Sequence, residues 1–138
     1  MVRLAEPIAG ARPIEVDTGQ RRPGDRLIVV TAHPVGMEHV DLNVPVVQGC
    51  TVRRVPISVA ATTFYRTDCD ATGASSGGMH LVRFDGELRF RGITISTGPW
   101  RDPAFVGATY DEQGGSVTTA LGTDGAILAA AASLADRD

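Results

Sequence analysis

The sequence contains no lysine, so all thirteen of its basic side chains are arginine. This absence excludes any mechanism in which a lysine side chain forms a Schiff base with a carbonyl substrate. Sixteen acidic residues bring the formal net charge to −3. Because a protein that binds the phosphate backbone needs a basic face, this mild acidity argues against nucleic acid as a partner.

Long apolar runs are also missing. No stretch of about 18 consecutive apolar residues occurs, so we expect no helix that spans a membrane and no membrane partner. The first residues, Met1–Pro7, lack the continuous apolar core of a secretory signal. On this ground we expect a cytoplasmic protein.

Side chains that bind metals are few. The sequence has three histidines at spacings that suit no metal pair on a helix or strand: His33, His39 and His80. Neither Cys50 nor Cys69 has a CxxC or histidine companion, so no metal is expected. Two interpretations of the cysteines stay open, namely two buried thiols or a disulfide across neighbouring strands.

Motifs for cofactors and nucleophiles are absent from the sequence as well. No glycine-rich loop that could cradle phosphate precedes a helical segment, so we expect no nucleotide cofactor. The run Ala74–Gly78 does not match the Gly-x-Ser-x-Gly turn on which a serine nucleophile sits. The sequence therefore predicts a protein that works without a cofactor.

What the chain does contain is glycine, valine and threonine in short runs that are typical of strands separated by turns. Residues 1–23 are rich in proline and arginine and predict an extended arm, with a short strand around Ile14–Val16. Residues 24–138 predict one all-β domain that closes a barrel or stacks a sandwich. Its strand-like runs are Arg26–Ala32, Thr51–Val59, Ala61–Cys69, Met79–Phe84, Glu87–Ser96, Ala104–Thr109, Ser116–Leu121 and Ala126–Leu134.

The last of these runs is ambiguous. Ala126–Leu134 is rich in alanine and would be a helix on propensity alone. Its place directly after a Thr-Asp-Gly turn, where it could pair back on Ser116–Leu121, favours a strand.

The clearest local signal is the dipeptide Asp85-Gly86 between two strand-like runs. It favours a type I′ turn, because both central residues of that turn need a positive φ. A loop of two residues predicts that Phe84 pairs with Glu87, and that the pairing continues residue by residue to Met79 opposite Gly92.

Opposed residues share a face of the hairpin, so the pairing divides it into an apolar face and a mixed face. We expect the apolar face to point inward and the mixed face, which carries His80, to point outward. A bulged turn would shift the register by one residue and reverse this assignment. The expected inward residues are Met79, Leu81, Leu88 and Phe90.

Aromatic residues are scarce, with four Phe, two Tyr and one Trp, so the position of each is informative. Alternation along Ala61–Cys69 places Tyr65 on the uncharged, inward face, where its hydroxyl needs a partner from the protein or from a ligand. Trp100 and Tyr110 lie near the ends of loops, where the mouth of a barrel is built. Each could face a ligand or plug the core.

Several short motifs occur in a recognisable order: Gly24-Asp25, Gly49–Val55, Thr67–Cys69, Gly86–Gly92, Phe105–Tyr110 and Gly114–Val117. This order resembles the allene oxide cyclase-like barrel, the small eight-stranded fold shared with plant dirigent proteins. The resemblance covers residue 24 to about residue 134. It implies a single antiparallel eight-stranded β-barrel, with the arm of residues 1–23 as a lid over its mouth.

Bacterial relatives in this family include spirotetronate cyclases, which catalyse intramolecular Diels–Alder cycloaddition of polyketides. The resemblance therefore implies a cofactor-free cyclase of natural-product biosynthesis with an apolar, polyketide-like substrate. Such a reaction needs a polyene held in its reactive fold and one hydrogen bond to the dienophile carbonyl. The shape would come from Met79, Leu81, Leu88 and Phe90, and the hydrogen bond from Tyr65, Trp100 or Tyr110.

Three alternatives share the same fold: a barrel that only binds an apolar small molecule, a dirigent-like guide for radical coupling, and a barrel with a filled core and a surface role. A lumen of about 300 Å³ or more would favour the cyclase or the binding protein, and a filled lumen would count against both. The resemblance also implies a homo-oligomer, a dimer or a trimer. An outward apolar patch would offer its surface: Val82, Phe84, Ile93 and Ile95.

Overall fold

Short, β-branched runs separated by turns form an all-β barrel in the computed structural model, which describes residues 6, 8–31, 45–59, 62–70, 75–98 and 109–135. Within these residues the chain forms seven strands and one helix. They are β1 (Glu15–Val16), β2 (Arg26–Thr31), β3 (Val46–Val59), β4 (Thr62–Thr67), β5 (Met79–Phe84), β6 (Glu87–Thr97), β7 (Thr118–Gly122) and α1 (Gly125–Ala135).

The barrel is closed by β6, which pairs with β5 on one side and β7 on the other. The strands follow the order β6-β5-β2-β3-β4-β7, and all pairings around the ring are antiparallel. β7 pairs with β6 only from Gly92 onward. The first part of β6, which does not pair with β7, pairs instead with β1. β1 runs parallel to β6, with Val16 opposite Phe90.

The prediction of an all-β barrel is confirmed, but the predicted number of strands is wrong. The ring has six strands within the described residues, and β1 is added outside it. The predicted strand Ala104–Thr109 lies, except for Thr109, outside the described residues.

The predicted strand Ala126–Leu134 is the helix α1. The reason is local: alanine has the highest helix propensity, and Asp124 caps the first turn. The Asp124 Oδ1 atom accepts a hydrogen bond of 3.2 Å from the Ala126 N–H. Propensity and cap therefore outweigh the turn signal that favoured a strand.

The β5–β6 hairpin follows the predicted register near its turn and departs from it further away. Asp85 and Gly86 have φ values of 48° and 85°, as the turn requires. The four pairs from Phe84–Glu87 to Leu81–Phe90 are as predicted. A bulge then shifts the ladder by one residue, so that His80 lies opposite Gly92 and Met79 opposite Ile93.

The predicted inward face of this hairpin is wrong. His80 is fully buried and Val82 belongs to the core, so these residues point into the barrel. Alternation places Met79, Leu81, Leu88 and Phe90 on the outer face, where Leu88 is 37% exposed but Leu81 is buried, at 4%. The prediction failed because it took the more apolar face as the inner one.

The hydrophobic core is formed by residues of β2, β3, β4, β5 and β7 and by one residue just after β4. Its members are Leu27, Val29, Val52, Tyr65, Cys69, Val82 and Ala120. Because Val82 belongs to this set, the expected outward patch of Val82, Phe84, Ile93 and Ile95 is also wrong in part. Phe84 and Ile95 are exposed, by 52% and 39%, but Val82 is only 7% exposed.

Of the two interpretations of the cysteines, the structure has the disulfide. Cys50 on β3 and Cys69 just after β4 are bonded, with their Cα atoms 5.1 Å apart. The pairing of Val52 with Thr67 brings them opposite each other. The bond therefore ties the first half of β3 to the end of β4.

Candidate functional site

A chain of buried hydrogen bonds crosses the barrel interior. The Tyr65 hydroxyl lies 3.0 Å from His80 Nδ1, and His80 Nε2 lies 2.9 Å from Thr94 Oγ1. Tyr65 and His80 are fully buried and Thr94 is 1% exposed. Both ring nitrogens of the histidine are thus satisfied, which is what allows a polar ring in this core.

Burial decides the charge of both ring systems. It lowers the pKa of His80 to about 4, so the imidazole is neutral at physiological pH. It raises the pKa of Tyr65 far above its ordinary value, so the phenol keeps its proton. A neutral imidazole has one donor nitrogen, and either tautomer of His80 is compatible with the hydrogen bonds to Tyr65 and Thr94. If Nδ1 carries the hydrogen and donates to the Tyr65 oxygen, the phenol hydrogen can donate to a third group.

A pair of glycines makes room for this arrangement. Gly92 on β6 lies opposite Gly122 on β7. A Cβ atom at Gly92 would lie 2.6 Å from the Tyr65 hydroxyl and would meet the Leu121 carbonyl. A Cβ atom at Gly122 would lie 3.0 Å from Nε of Arg21. Each glycine therefore leaves space for one polar side chain.

Arg21 comes from the segment between β1 and β2 and is inserted at this end of the barrel. It is 6% exposed. Its Nη2 atom donates to the carbonyl and hydroxyl oxygens of Thr123, at 2.5 and 2.6 Å, and to the Arg91 carbonyl at 2.9 Å. Its Nη1 atom donates to the Gly19 carbonyl at 3.0 Å. The Nε atom has no hydrogen-bond partner.

Arg91 holds the same segment by ion pairs. Its Nε atom lies 2.6 Å from Asp17 Oδ2, and its Nη1 atom lies 2.7 Å from Asp25 Oδ2. Burial by itself would raise the pKa of Asp17, but the hydrogen bonds from Arg91 and from the Gly19 N–H outweigh burial and the pKa is lowered. Arg91 is the extra residue of the bulge in β6, so the bulge aims it at both carboxylates.

Beside Arg21 the barrel end opens into a pocket of about 310 Å³. It is lined by the segment before β2, by β3 and β4, and by the root of α1: Thr18, Gln20, Arg21, Val55, Thr63, Asp124 and Gly125. Thr63 and Tyr65 are two residues apart on β4 and share its inner face. Tyr65 therefore lies one layer below the pocket.

The structure separates the three predicted catalytic residues. Tyr65 is in the interior, as predicted. Tyr110 lies at the surface, where its hydroxyl donates to Glu112 Oε2 at 2.9 Å and the Arg53 guanidinium lies 5.3 Å from its ring centre. The Tyr65 hydroxyl lies against His80 instead, and Trp100 lies outside the described residues.

Sequence reasoning missed the two side chains that distinguish this end of the barrel, His80 and Arg21. His80 was placed outside because it alternates with apolar neighbours. No signal in the predicted register marks it, because that register places Gly92 opposite Met79 and only the bulge brings Gly92 opposite His80. Arg21 lies in an irregular segment, and no periodic pattern marks it as buried.

Among the described residues, no group of three or more His, Cys, Asp or Glu side chains could hold a metal ion. No helix formed by these residues is long and apolar enough to cross a membrane. Comparison with protein-family models, with curated proteins and with solved structures gives no match. The resemblance to the allene oxide cyclase-like family therefore stays a prediction.

Proposed function

We propose that this protein binds a small organic molecule in the pocket beside Arg21. The observation that carries the proposal is the pocket itself, whose volume of about 310 Å³ lies at the lower end of the range for small-molecule sites. The side chains of Thr18 and Gln20 line it, and neither makes a hydrogen bond within the described part of the chain. They are exposed and can therefore bind a ligand.

The ligand binds at the barrel end rather than deep inside. Among the described residues, the interior below the pocket is filled by fully buried side chains, which include Tyr65, His80, Val29 and Val52. The pocket lining combines Val55 with hydroxyl, amide and charged groups. A molecule with oxygen groups and a short apolar part suits this lining better than the wholly apolar substrate expected from the sequence.

Titration with 2,4-hexadien-1-ol, followed by amide NMR shifts, tests this binding. We expect shifts centred on Thr18, Gln20 and Gly125. Gln20→Trp should abolish them by filling the pocket. Gln113→Trp, a matched change on the exposed turn before β7, should leave them unchanged. Shifts that survive Gln20→Trp, or no shifts at about 10 mM probe, would contradict the proposal.

A second candidate is the cofactor-free cyclase expected from the sequence, with Tyr65 as its hydrogen-bond donor, although the filled interior counts against a substrate inside the barrel. The Tyr65 hydroxyl lies one layer below the pocket and next to a neutral imidazole. A substrate carbonyl that reached it would accept one hydrogen bond in a water-poor site, where such a bond lowers a cycloaddition barrier. Holding the chain in a folded conformation would supply the rest of the rate.

The cyclase candidate is tested with 1,7,9-decatrien-3-one, a linear triene whose dienophile is conjugated with a ketone. We expect conversion to the bicyclic product about tenfold faster with protein than in buffer, and a loss of most of this acceleration in Tyr65→Phe. Tyr110→Phe removes a hydroxyl at the surface and serves as the control. Equal rates with and without protein would leave only the binding function.

We also propose that the expected homo-oligomer forms through α1. Its sequence, GAILAAAASLA, has no charged residue, yet Leu128 is 38% exposed and residues 129–133 are exposed. The root of the helix is fixed, because Thr123 bonds to the carbonyls of Asp17 and Arg91, and Asp124 accepts from the Thr63 N–H. An apolar helix held away from its own barrel needs an external partner.

The partner surface is a second apolar patch at the same end of the barrel, the β1–β6 patch of Ile14, Val16 and Leu88. These side chains are 44%, 42% and 37% exposed. If α1 of each copy packs on the β1–β6 patch of the other, a helix about 16 Å long buries about 1,000 Å² in total. This area is near the minimum for a specific interface and predicts a weak dimer.

Sedimentation velocity at rising concentration tests this dimer. Leu128→Glu and Val16→Glu should each give a monomer, and Val47→Glu, at a residue that is 60% exposed on β3, should not. A monomer at all concentrations up to about 200 µM would contradict it.

The cytoplasmic location expected from the sequence is also a proposal. Cytoplasmic reductants keep most cysteines reduced, whereas the structure has a Cys50–Cys69 disulfide. Counting the thiols of protein that is trapped with an alkylating agent in whole cells tests the location. In a reducing cytoplasm the Cys50–Cys69 bond is expected to be open, so that two thiols react with the agent. A bond that is closed inside the cell would point to another compartment.

A further inference from the structure

Arg21 is buried, and no carboxylate of the described residues contacts its guanidinium, although Asp17 and Asp124 favour its charge from a longer distance. All of its hydrogen-bond partners are neutral oxygen atoms, which belong to Asp17, Gly19, Arg91 and Thr123, and the Asp17 oxygen is that of its main chain. A charge that is removed from water is costly unless an opposite charge compensates it. Arg91, by comparison, contacts two carboxylates.

The guanidinium also has one unused donor. The Nε atom makes no hydrogen bond, and it lies where Gly122 leaves the space that a Cβ atom would fill. The Nε atom is buried against Gly122, but other parts of Arg21 line the pocket, so its charge acts on that space. An anionic ligand in the pocket would bring an opposite charge close to the buried guanidinium.

We infer that the pocket recognises an organic acid, with the ligand carboxylate next to Arg21 and the rest of the molecule against Val55. The inference rests on the proposed binding function and specifies its ligand. A carboxylate fits better than a phosphate because Asp124 also lines the pocket, and a larger negative charge would be repelled more strongly.

Asp124 limits where the anion can lie. Its carboxylate is already engaged, because Oδ2 accepts from the Thr63 N–H at 2.5 Å and Oδ1 accepts from the Ala126 N–H. The like charge of Asp124 keeps the ligand carboxylate away from it, and the exposed polar side chains of the lining are Thr18 and Gln20. Their hydroxyl and amide groups donate hydrogen bonds of the kind that a carboxylate accepts.

The experiment compares two probes with one carbon skeleton, sorbate (2,4-hexadienoate) and 2,4-hexadien-1-ol, at pH 7. We expect sorbate to bind at least about tenfold more tightly than the alcohol, and to lose this preference as salt is raised. Arg21→Gln should abolish the preference. Because Arg21→Gln also removes buried hydrogen bonds and can prevent folding, a second variant is needed. Gln20→Glu places a like charge on an exposed residue of the pocket lining.

Gln20→Glu should weaken sorbate about fivefold more than it weakens the alcohol, while the matched Gln113→Glu changes neither affinity. Equal affinity for the two probes, with NMR shifts that still map to the pocket, would overturn the carboxylate inference and leave the binding function intact. If neither probe shifts the pocket residues, both proposals fail. A preference for sorbate that Gln20→Glu does not reduce would place the anion elsewhere and overturn the inference.

Discussion

His80 and Arg21 are both basic side chains buried in one barrel, but they differ in how their polar atoms are satisfied. We call Tyr65, His80 and Thr94 the His80 level, and Arg21 with the pocket beside it the Arg21 level. The imidazole is neutral and both of its nitrogens are bonded, to Tyr65 and to Thr94. The guanidinium is charged, lacks a contacting carboxylate and leaves its Nε atom unpaired. The His80 level has its hydrogen bonds complete, whereas at the Arg21 level no carboxylate of the described residues contacts the guanidinium and its Nε atom has no partner. A buried polar group therefore indicates a binding site only where its partners are incomplete.

The glycine pair that separates these levels should be the most sensitive point. Gly92→Ala would drive a Cβ atom into the Leu121 carbonyl and the Tyr65 hydroxyl, and we expect a loss of about 3 kcal/mol in the free energy of unfolding. Urea denaturation measures it. The control is Gly49→Ala, because nothing lies within 4 Å of a Cβ atom at Gly49 and its effect should be small. Similar stabilities for the two variants would mean that Gly92 does not make the room assigned to it.

The completeness of the His80 level predicts a pH dependence. The folded-state pKa of about 4 lies below the unfolded value of 6.5, so the unfolded chain binds the extra proton between these values. The contribution of His80 to the free energy of unfolding should be fully present above pH 6.5. It should fall by about 3 kcal/mol as the pH drops to 4. Asp17 has a lowered pKa, so its contribution is lost only below this range.

Urea denaturation from pH 7 to pH 4.5 measures this slope. A background in which His33 and His39 are replaced by asparagine leaves His80 as the only histidine that titrates. His80→Gln in that background should flatten the profile between pH 6.5 and 5. A flat profile in the parent would contradict the assignment of a neutral, buried imidazole.

The same two levels show how far the sequence leads. The β5–β6 turn and its first four pairs were predictable, because Asp85-Gly86 specifies a turn and the ladder follows from it. The inward face was not, because hydrophobicity alone cannot show that a histidine will find two partners. Tyr65 was placed correctly, since it shares an uncharged face with threonines. Arg21 could not be placed, because its burial depends on oxygen atoms 70 and 102 residues away in the chain.

The smallest expected effect is the difference in unfolding free energy between the variants Tyr65→Phe and Tyr110→Phe. Tyr65→Phe leaves His80 Nδ1 without a partner in the core and should cost about 1–2 kcal/mol. Tyr110→Phe removes a hydroxyl bond to Glu112 at the surface and should change the unfolding free energy by less than about 0.5 kcal/mol. Both changes delete one oxygen, so the difference measures what burial adds to that hydrogen bond. If the two variants are equally stable, water or a rearranged His80 replaces the lost partner, and the His80 level is less rigid than its hydrogen bonds imply.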